Sequence, residues 1–214
     1  MNRFFLTLML STATSFGFAQ SKEEKLQKLM EAYSGLNKLN GSVLVTQNGK
    51  ILMNQGYGFR NIANSIHNDS GTIFQIGSIT KQFTAAAILK LQEIKKLDVQ
   101  DKLSKYYPDF PKGDSMSIEH LLTHTSGIFN YTDDRVFMQT QAMNAVTEEK
   151  MIALLKERPL NFSPGTSWSY SNSNYVLLGY IIRKVSKKPY EQVIRDLILT
   201  PLQMGSTGFD FAGL

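Results

Sequence analysis

The chain has 214 residues, of which 42% are hydrophobic and 19% are charged. This composition is typical of a globular domain and excludes a disordered, collagen-like or coiled-coil chain. The absence of cysteine excludes a disulfide scaffold, a thiol nucleophile and a zinc–thiolate site. The net charge of +5 comes from interspersed acids and bases, so no nucleic-acid partner is indicated.

Residues 1–19 have the layout of a secretory signal peptide. A short positive start is followed by the largely apolar segment Phe4–Phe18, and the small residues Gly17 and Ala19 suit a cleavage site. The alternative is a membrane anchor, but the apolar run is shorter than the roughly 20 residues that span a bilayer. We therefore predict one exported domain, residues 20–214, that is periplasmic or secreted and has no membrane span.

The first predicted elements of the mature chain are a helix and a β-hairpin. Apolar residues recur at helical spacing over Lys22–Lys38, which predicts an amphipathic surface helix. Two β-prone runs, Gly41–Gln47 and Ile51–Phe59, flank an Asn-Gly pair, which is the strongest short-range hairpin signal. Residues 60–76 are predicted to form a loop because Asn, Ser and Gly interrupt any regular period.

The apolar period becomes helical at Ser78 and predicts a buried central helix. The residues expected to share its buried face are Ile79, Phe83, Ala86, Ala87, Leu91, Ile94 and Leu97. Further helices follow an irregular connection and are predicted from capping residues and prolines. They cover residues 117–124, 147–158, a stretch that starts near residue 174, and 189–200.

The predicted hairpin has too few partners for a stable sheet. An isolated hairpin is marginal in water, and only fourteen residues follow Thr200. We therefore expect an α+β chain with an N-terminal helix, a hairpin and a helical lobe, from which the C-terminal strands of an antiparallel sheet are missing.

Ser78 and Lys81 are the first candidate reactive pair. At positions i and i+3 of a helix the two side chains project from one face, close enough to exchange a proton. A serine hydroxyl is a weak nucleophile until a base takes its proton, and a lysine can do so only if its pKa falls from roughly 10.4. Desolvation and positive potential at the start of a buried helix favour that decrease. The alternative is a capping serine beside a solvated lysine.

Tyr170 and Asn172 form the second candidate pair. They follow Pro164-Gly165 and a run of small polar residues, which predicts a loop, and loops on a rigid scaffold often carry catalytic groups. A tyrosine hydroxyl near Lys81 could act as acid or base, and Asn172 could orient a substrate amide or the lysine. The alternative is that Tyr170 packs and Asn172 caps the next helix.

These motifs together resemble one known family. The segments Phe74–Lys81, Ile118–Gly127 and Tyr170–Asn172 are similar to those of the serine β-lactamase and penicillin-binding-protein group. The similarity is greatest to the class C branch with its related esterases and D-amino-acid peptidases. Three shorter motifs fit in the same order, namely Pro164-Gly165, Leu177–Gly179 and Pro201–Met204.

The resemblance implies a role for each candidate residue. Ser78 would be the acylated nucleophile, Lys81 its partner, Tyr170 the general base, and Asn172 a substrate-binding residue. The implied fold is a β-lactamase/transpeptidase-like helical lobe against an antiparallel sheet. No metal or other cofactor is implied. The three histidines are interpreted as structural, His124 as buried or capping, and His67 and His120 as surface or packing residues.

The sequence departs from the family at its third motif, Lys or His followed by any residue and Gly, which does not occur after Tyr170. In the family that motif lies on a strand that supplies a second oxyanion donor. We expect a secreted serine hydrolase that forms an acyl-enzyme on β-lactams, D-Ala-type peptides or small esters. The alternative is a catalytically incompetent, truncated fragment that at most binds a ligand or partner.

Overall fold

The computed structural model describes residues 20–141 and 144–209. The predicted signal peptide, residues 1–19, lies outside the described residues. The chain divides between Phe74 and Gln75 into two compact units. No helix in the described part combines the length and apolar character needed to cross a membrane.

The first unit contains the predicted helix and hairpin. Helix α1 covers Lys22–Gly35 and begins with a capping box, in which Ser21 accepts from the backbone of Glu24 and the Glu24 carboxylate accepts from Ser21 N–H. Strands β1 (Gly41–Gln47) and β2 (Lys50–Tyr57) pair antiparallel. Asn48 and Gly49 between them both have positive φ, as a two-residue primed turn requires.

The segment predicted as a loop contains a second small hairpin, so this prediction was wrong in part. Strand β3 covers Phe59–Asn61 and pairs antiparallel with β4, Ile66–His67. The Asn61 side chain accepts a hydrogen bond from Asn64 N–H at 3.0 Å, and Ser65 has a positive φ of 51°, which together reverse the chain. Strands of two or three residues are too short to show the alternating pattern from which strands are predicted.

The second unit is helical and its first helix is α2, Thr80–Glu93, preceded by a 3₁₀ turn over Gly77–Ile79. Its buried face agrees with the predicted one in part. Ala87, Leu91 and Leu97 are buried as predicted, and Thr84 and Ile88 are buried as well. Ile79 and Ile94, however, are 58% and 54% exposed. Ile79 belongs to the 3₁₀ turn, where three residues per turn shift the register, and the helix has ended before Ile94.

The remaining helices of this unit agree with their predicted starts, with one addition and one shift. Ser117 and Thr147 cap α3 and α5 as predicted. Helix α6 begins two residues before the predicted start, and α4, capped by Asp134, was not predicted. The bounds are α3 Ile118–Leu122, α4 Arg135–Thr140, α5 Glu148–Lys156, α6 Asn172–Ser186 and α7 Tyr190–Ile194, which continues as a π-helical turn, Arg195–Leu199.

Helix α6 forms the centre of the core of the second unit. It packs against both α2 and α3. Four of its apolar side chains are completely buried, namely Leu177, Leu178, Ile181 and Ile182. This packing fixes the N-terminus of α6 close to the N-terminus of α2, and the candidate site lies there.

Candidate active site

The four residues that the sequence singles out lie in one hydrogen-bonded cluster. Ser78 lies in the 3₁₀ turn before α2, directly after Gly77, whose φ of 53° is in the left-handed region that favours glycine. The Lys81 ammonium, one turn later, donates to Ser78 Oγ at 3.3 Å. The i, i+3 spacing therefore brings this pair together as predicted.

Tyr170 reaches the same serine oxygen from the segment before α6. Its hydroxyl donates to Ser78 Oγ at 2.9 Å, across 92 residues of sequence. Lys81 Nζ lies 4.9 Å from the centre of the Tyr170 ring. The hydroxyl of Ser78 thus lies within hydrogen-bond distance of both a phenol and an ammonium group.

Asn172 is the first residue of α6 and contacts Lys81. Its Oδ1 accepts from Lys81 Nζ at 2.8 Å, and its Nδ2 donates to Thr132 Oγ1 at 3.1 Å. Its backbone N–H donates to Asn130 Oδ1 at 2.9 Å, which caps the helix start. Both polar groups of the side chain therefore already have protein partners, and the substrate-binding role stays a prediction.

The charge of Lys81 changes the acidity of its neighbours. The Lys81 hydrogen bond, followed by the Ser78 hydrogen bond and the Lys81 charge, holds the pKa of Tyr170 below its usual range. Burial, followed by the Lys81 charge, lowers the pKa of His124. The phenol of Tyr170 is thus more acidic than a free tyrosine, whereas the neutral form of His124 is favoured.

The cluster is open to solvent, in contrast to the desolvated site that the sequence predicts. Ser78 is exposed, Lys81 is half-buried and Tyr170 is 39% exposed. A groove of about 1210 Å³ is lined by Ser78 and Lys81 and extends along α6 to Tyr190 of α7. Within the ranges that the structure describes, no group of His, Asp or Glu side chains is arranged to hold a metal ion.

Sequence reasoning missed the residues that hold the cluster in place. Asn130 and Thr132, which bind Asn172, belong to no recognised motif and carry no sequence signal. His124 was interpreted as structural, and its ring centre lies 4.6 Å from that of Tyr170. His120 belongs to the capping box of α3, and His67 is exposed and stacks on Phe59.

Comparisons with known proteins give a consistent result. The sequence matches the family described as Beta-lactamase over residues 24–213. It is 37% identical over 170 residues to a putative penicillin-binding protein, PbpX, of Bacillus subtilis. The fold is similar to that of a penicillin-binding protein from Bacillus halodurans, with a TM-score of 0.77, 30% identity and 92% of this chain covered. A D-stereospecific amidohydrolase from Streptomyces is 34% identical, with a TM-score of 0.56 over 62% of this chain.

The chain is shorter than these relatives. It spans 41% of the Bacillus subtilis protein, 58% of the Bacillus halodurans structure and 43% of the Streptomyces structure. The similarity therefore concerns only part of each relative's length.

Proposed function

The chain belongs to the beta-lactamase family, and on that premise we propose that it is a serine hydrolase that forms an acyl-enzyme at Ser78. The observation that carries the proposal is the convergence of two groups on one oxygen. Tyr170 OH lies 2.9 Å and Lys81 Nζ 3.3 Å from Ser78 Oγ. A hydroxyl held between a base and a cation is the arrangement of an activated nucleophile.

Tyr170 acts as the general base in this proposal. Once ionised, its phenolate accepts the proton of Ser78 Oγ, and the serine oxygen attacks the substrate carbonyl carbon. The positive charge of Lys81 stabilises the phenolate, in agreement with the lowered pKa of Tyr170. The Asn172 amide oxygen holds the ammonium in place at 2.8 Å.

The acyl-enzyme forms and breaks down in two balanced steps. In the first, the bond from the carbonyl carbon to the leaving group breaks, and the Tyr170 hydroxyl returns its proton to that group. In the second, water attacks the ester on Ser78, Tyr170 takes the proton of the water and passes it to Ser78 Oγ, and the free acid leaves. The backbone N–H groups at the N-terminus of α2 favour the oxyanion that forms in each step.

The substrates that we propose are β-lactams, D-Ala-type peptides and small esters. The relatives are named penicillin-binding protein and D-stereospecific amidohydrolase. These names support a substrate whose acyl group is bonded to a nitrogen leaving group. The groove beside Ser78 is open enough to admit a peptide as well as a small molecule. We also propose that the chain is exported to the periplasm or secreted, and that its partner is a small-molecule or peptide substrate.

The deciding experiment measures the mass of the chain after incubation with a fluorescent penicillin or with an activated ester. A single adduct that is absent in Ser78→Ala is expected. An adduct that persists in Ser78→Ala would place the acylation elsewhere and overturn the assignment. If neither probe forms an adduct while the penicillin still binds reversibly, the chain is a ligand-binding fragment without catalytic activity.

A further inference from the structure

His124 contacts the chain on both sides of Tyr170. Its backbone carbonyl accepts from Ser169 N–H at 3.0 Å, and its ring Nδ1 accepts from Ser171 N–H at 3.2 Å. His124 has a φ of 59°, in the left-handed region where histidine is enriched among non-glycine residues. The only residue between the two bonded positions is Tyr170, so one histidine restrains the backbone that carries the phenol.

The imidazole ring also packs on the phenol itself. The ring centres of His124 and Tyr170 lie 4.6 Å apart with a tilt of 35°. On α6, Tyr175 lies 5.2 Å from His124, and Trp168 meets the ring edge-on at 6.4 Å. Three aromatic side chains thus fix the plane of the imidazole, and the imidazole in turn limits the positions open to the Tyr170 ring.

A buried chain of hydrogen bonds determines which nitrogen of His124 carries the proton. Ser126 Oγ donates to Asn174 Oδ1 at 2.6 Å, and both residues are completely buried. The carbonyl end of the Asn174 amide is therefore occupied, and its Nδ2 faces His124 Nδ1 at 3.4 Å. Since Ser171 N–H also points at Nδ1, this nitrogen receives two N–H groups and must be the acceptor of a neutral ring.

The charges around His124 favour the same neutral state. The titratable groups that face it are Lys81 from α2, Tyr170 from the preceding segment and Tyr175 from α6. A proton on Nδ1 would oppose the Ser171 N–H and place a second cation near Lys81. Burial and the Lys81 charge lower the pKa of His124, so the acceptor state persists to more acidic pH than for a free histidine.

We propose that neutral His124 is the positioning residue that holds the Tyr170 hydroxyl at Ser78, and that protonation of its ring at acid pH releases this hold. The inference rests on the proposed function, because it gives the reason why Tyr170 stays where a general base is needed. It concerns a residue that does not itself touch Ser78.

The kinetic test compares His124→Asn with the matched control His120→Asn. Asparagine tolerates a positive φ but removes the ring. His120 belongs to the capping box of α3, and in the described part of the chain no hydrogen bond or ring contact joins it to Tyr170. We expect His124→Asn to slow acylation about 10- to 100-fold through misplacement of the base, and His120→Asn to change it by less than about threefold.

A double-mutant cycle separates positioning from general damage. In the Tyr170→Phe background, His124→Asn should have little further effect, because the hydroxyl that it positions is gone. In the wild type, the acylation rate should also decrease more steeply with falling pH in the range where His124 becomes protonated. This additional decrease should be absent in His124→Asn. An equal rate loss in both backgrounds, with an unchanged acid limb, would overturn the proposal.

A second readout requires no turnover. Nitrogen-15 spectra of the wild type should show His124 with an unprotonated Nδ1, and carbon-13 tyrosine spectra should show Tyr170 ionising at higher pH in His124→Asn than in His120→Asn. A protonated Nδ1 in the neutral ring would overturn the inference even if His124→Asn fails to fold. If these spectra agree with the inference while no probe acylates Ser78, the hydrolase proposal has failed and the positioning role stands.

Discussion

At the scale of single residues, the proposed chemistry depends on a small set of side chains around Ser78 Oγ. Tyr170 contacts it directly, Lys81 contacts it and lowers the pKa of Tyr170, and Asn172 holds Lys81. Substitution of each residue is therefore expected to have a distinct effect.

Replacing Tyr170 by phenylalanine removes the proposed base and leaves the aromatic ring. We expect acylation to slow by about 10²- to 10⁴-fold, the range for loss of a general base. Stopped-flow measurement with the activated ester tests this, and a loss of less than threefold would mean that Tyr170 only packs. Its ring contact with His124 should keep the variant folded, which a circular dichroism melt can check.

Replacing Lys81 by alanine should shift the pH dependence as well as the rate. The Lys81 hydrogen bond and charge depress the pKa of Tyr170, so the phenolate fraction rises and acylation reaches its plateau below the ordinary tyrosine value of about 10. Without the ammonium the pKa returns upward, and the rise in rate should move to higher pH. If the acylation rate of Lys81→Ala is lower at every pH but its pH profile is not shifted, this account is contradicted.

Asn172 allows its positioning and substrate-binding roles to be distinguished. If its amide oxygen mainly holds Lys81, Asn172→Ala should lower kcat about tenfold with little change in KM, as for a transition-state interaction. A rise in KM at constant kcat would instead support the substrate-binding role predicted from the sequence. Thr132→Val, which removes only the second partner of the Asn172 amide, should show a weaker effect in the same direction.

At the scale of elements, the helix starts are the most sequence-determined features. Ser117 and Thr147 were predicted as caps, and each side-chain oxygen accepts from the backbone three residues later. The buried faces were less predictable. The 3₁₀ turn before α2 leaves Ile79 outside the buried face, and this turn does not follow from apolar spacing alone.

The two caps differ in burial and should differ in energetic weight. Ser117 is 2% exposed, so its replacement by alanine leaves the His120 N–H without a partner and water cannot easily substitute. We expect Ser117→Ala to lower the free energy of unfolding by about 1–2 kcal/mol and Thr147→Ala, at an exposed helix start, by about 0.5 kcal/mol. Urea titration measures both, and equal losses would show that burial does not matter here.

At the scale of the whole molecule, the predicted β-lactamase-like α+β fold is confirmed by the family match and by similar solved structures. Over residues 20–141 and 144–209, the strands form two sheets of two strands each. Each strand of β1–β2 therefore has one edge without a strand partner, and such edges promote association. Leu44 and Ile51 on these strands are 63% and 58% exposed.

These exposed apolar strands should make the chain prone to association. Replacing Leu44 by threonine keeps β propensity and reduces the apolar surface, so we expect less light scattering at a given concentration with little change in the melting temperature. Thr46→Ser, an exposed substitution on the same strand that removes no large apolar group, is the matched control. Equal scattering by wild type and Leu44→Thr would show that this strand does not drive association.

The sequence by itself determined what depends on near neighbours along the chain. The Asn48-Gly49 turn, the caps at Ser117 and Thr147, and the Ser78–Lys81 pair all follow from spacings of one to three residues, because local backbone geometry sets those contacts. Only the tertiary structure decided that Lys81 meets Asn172 across 91 residues and that Tyr170 meets Ser78 across 92. Those two contacts depend on how α2 packs against α6, and the contact of His124 with Tyr170 depends on how α3 packs against α6. The sequence of a single helix does not determine its orientation relative to another helix.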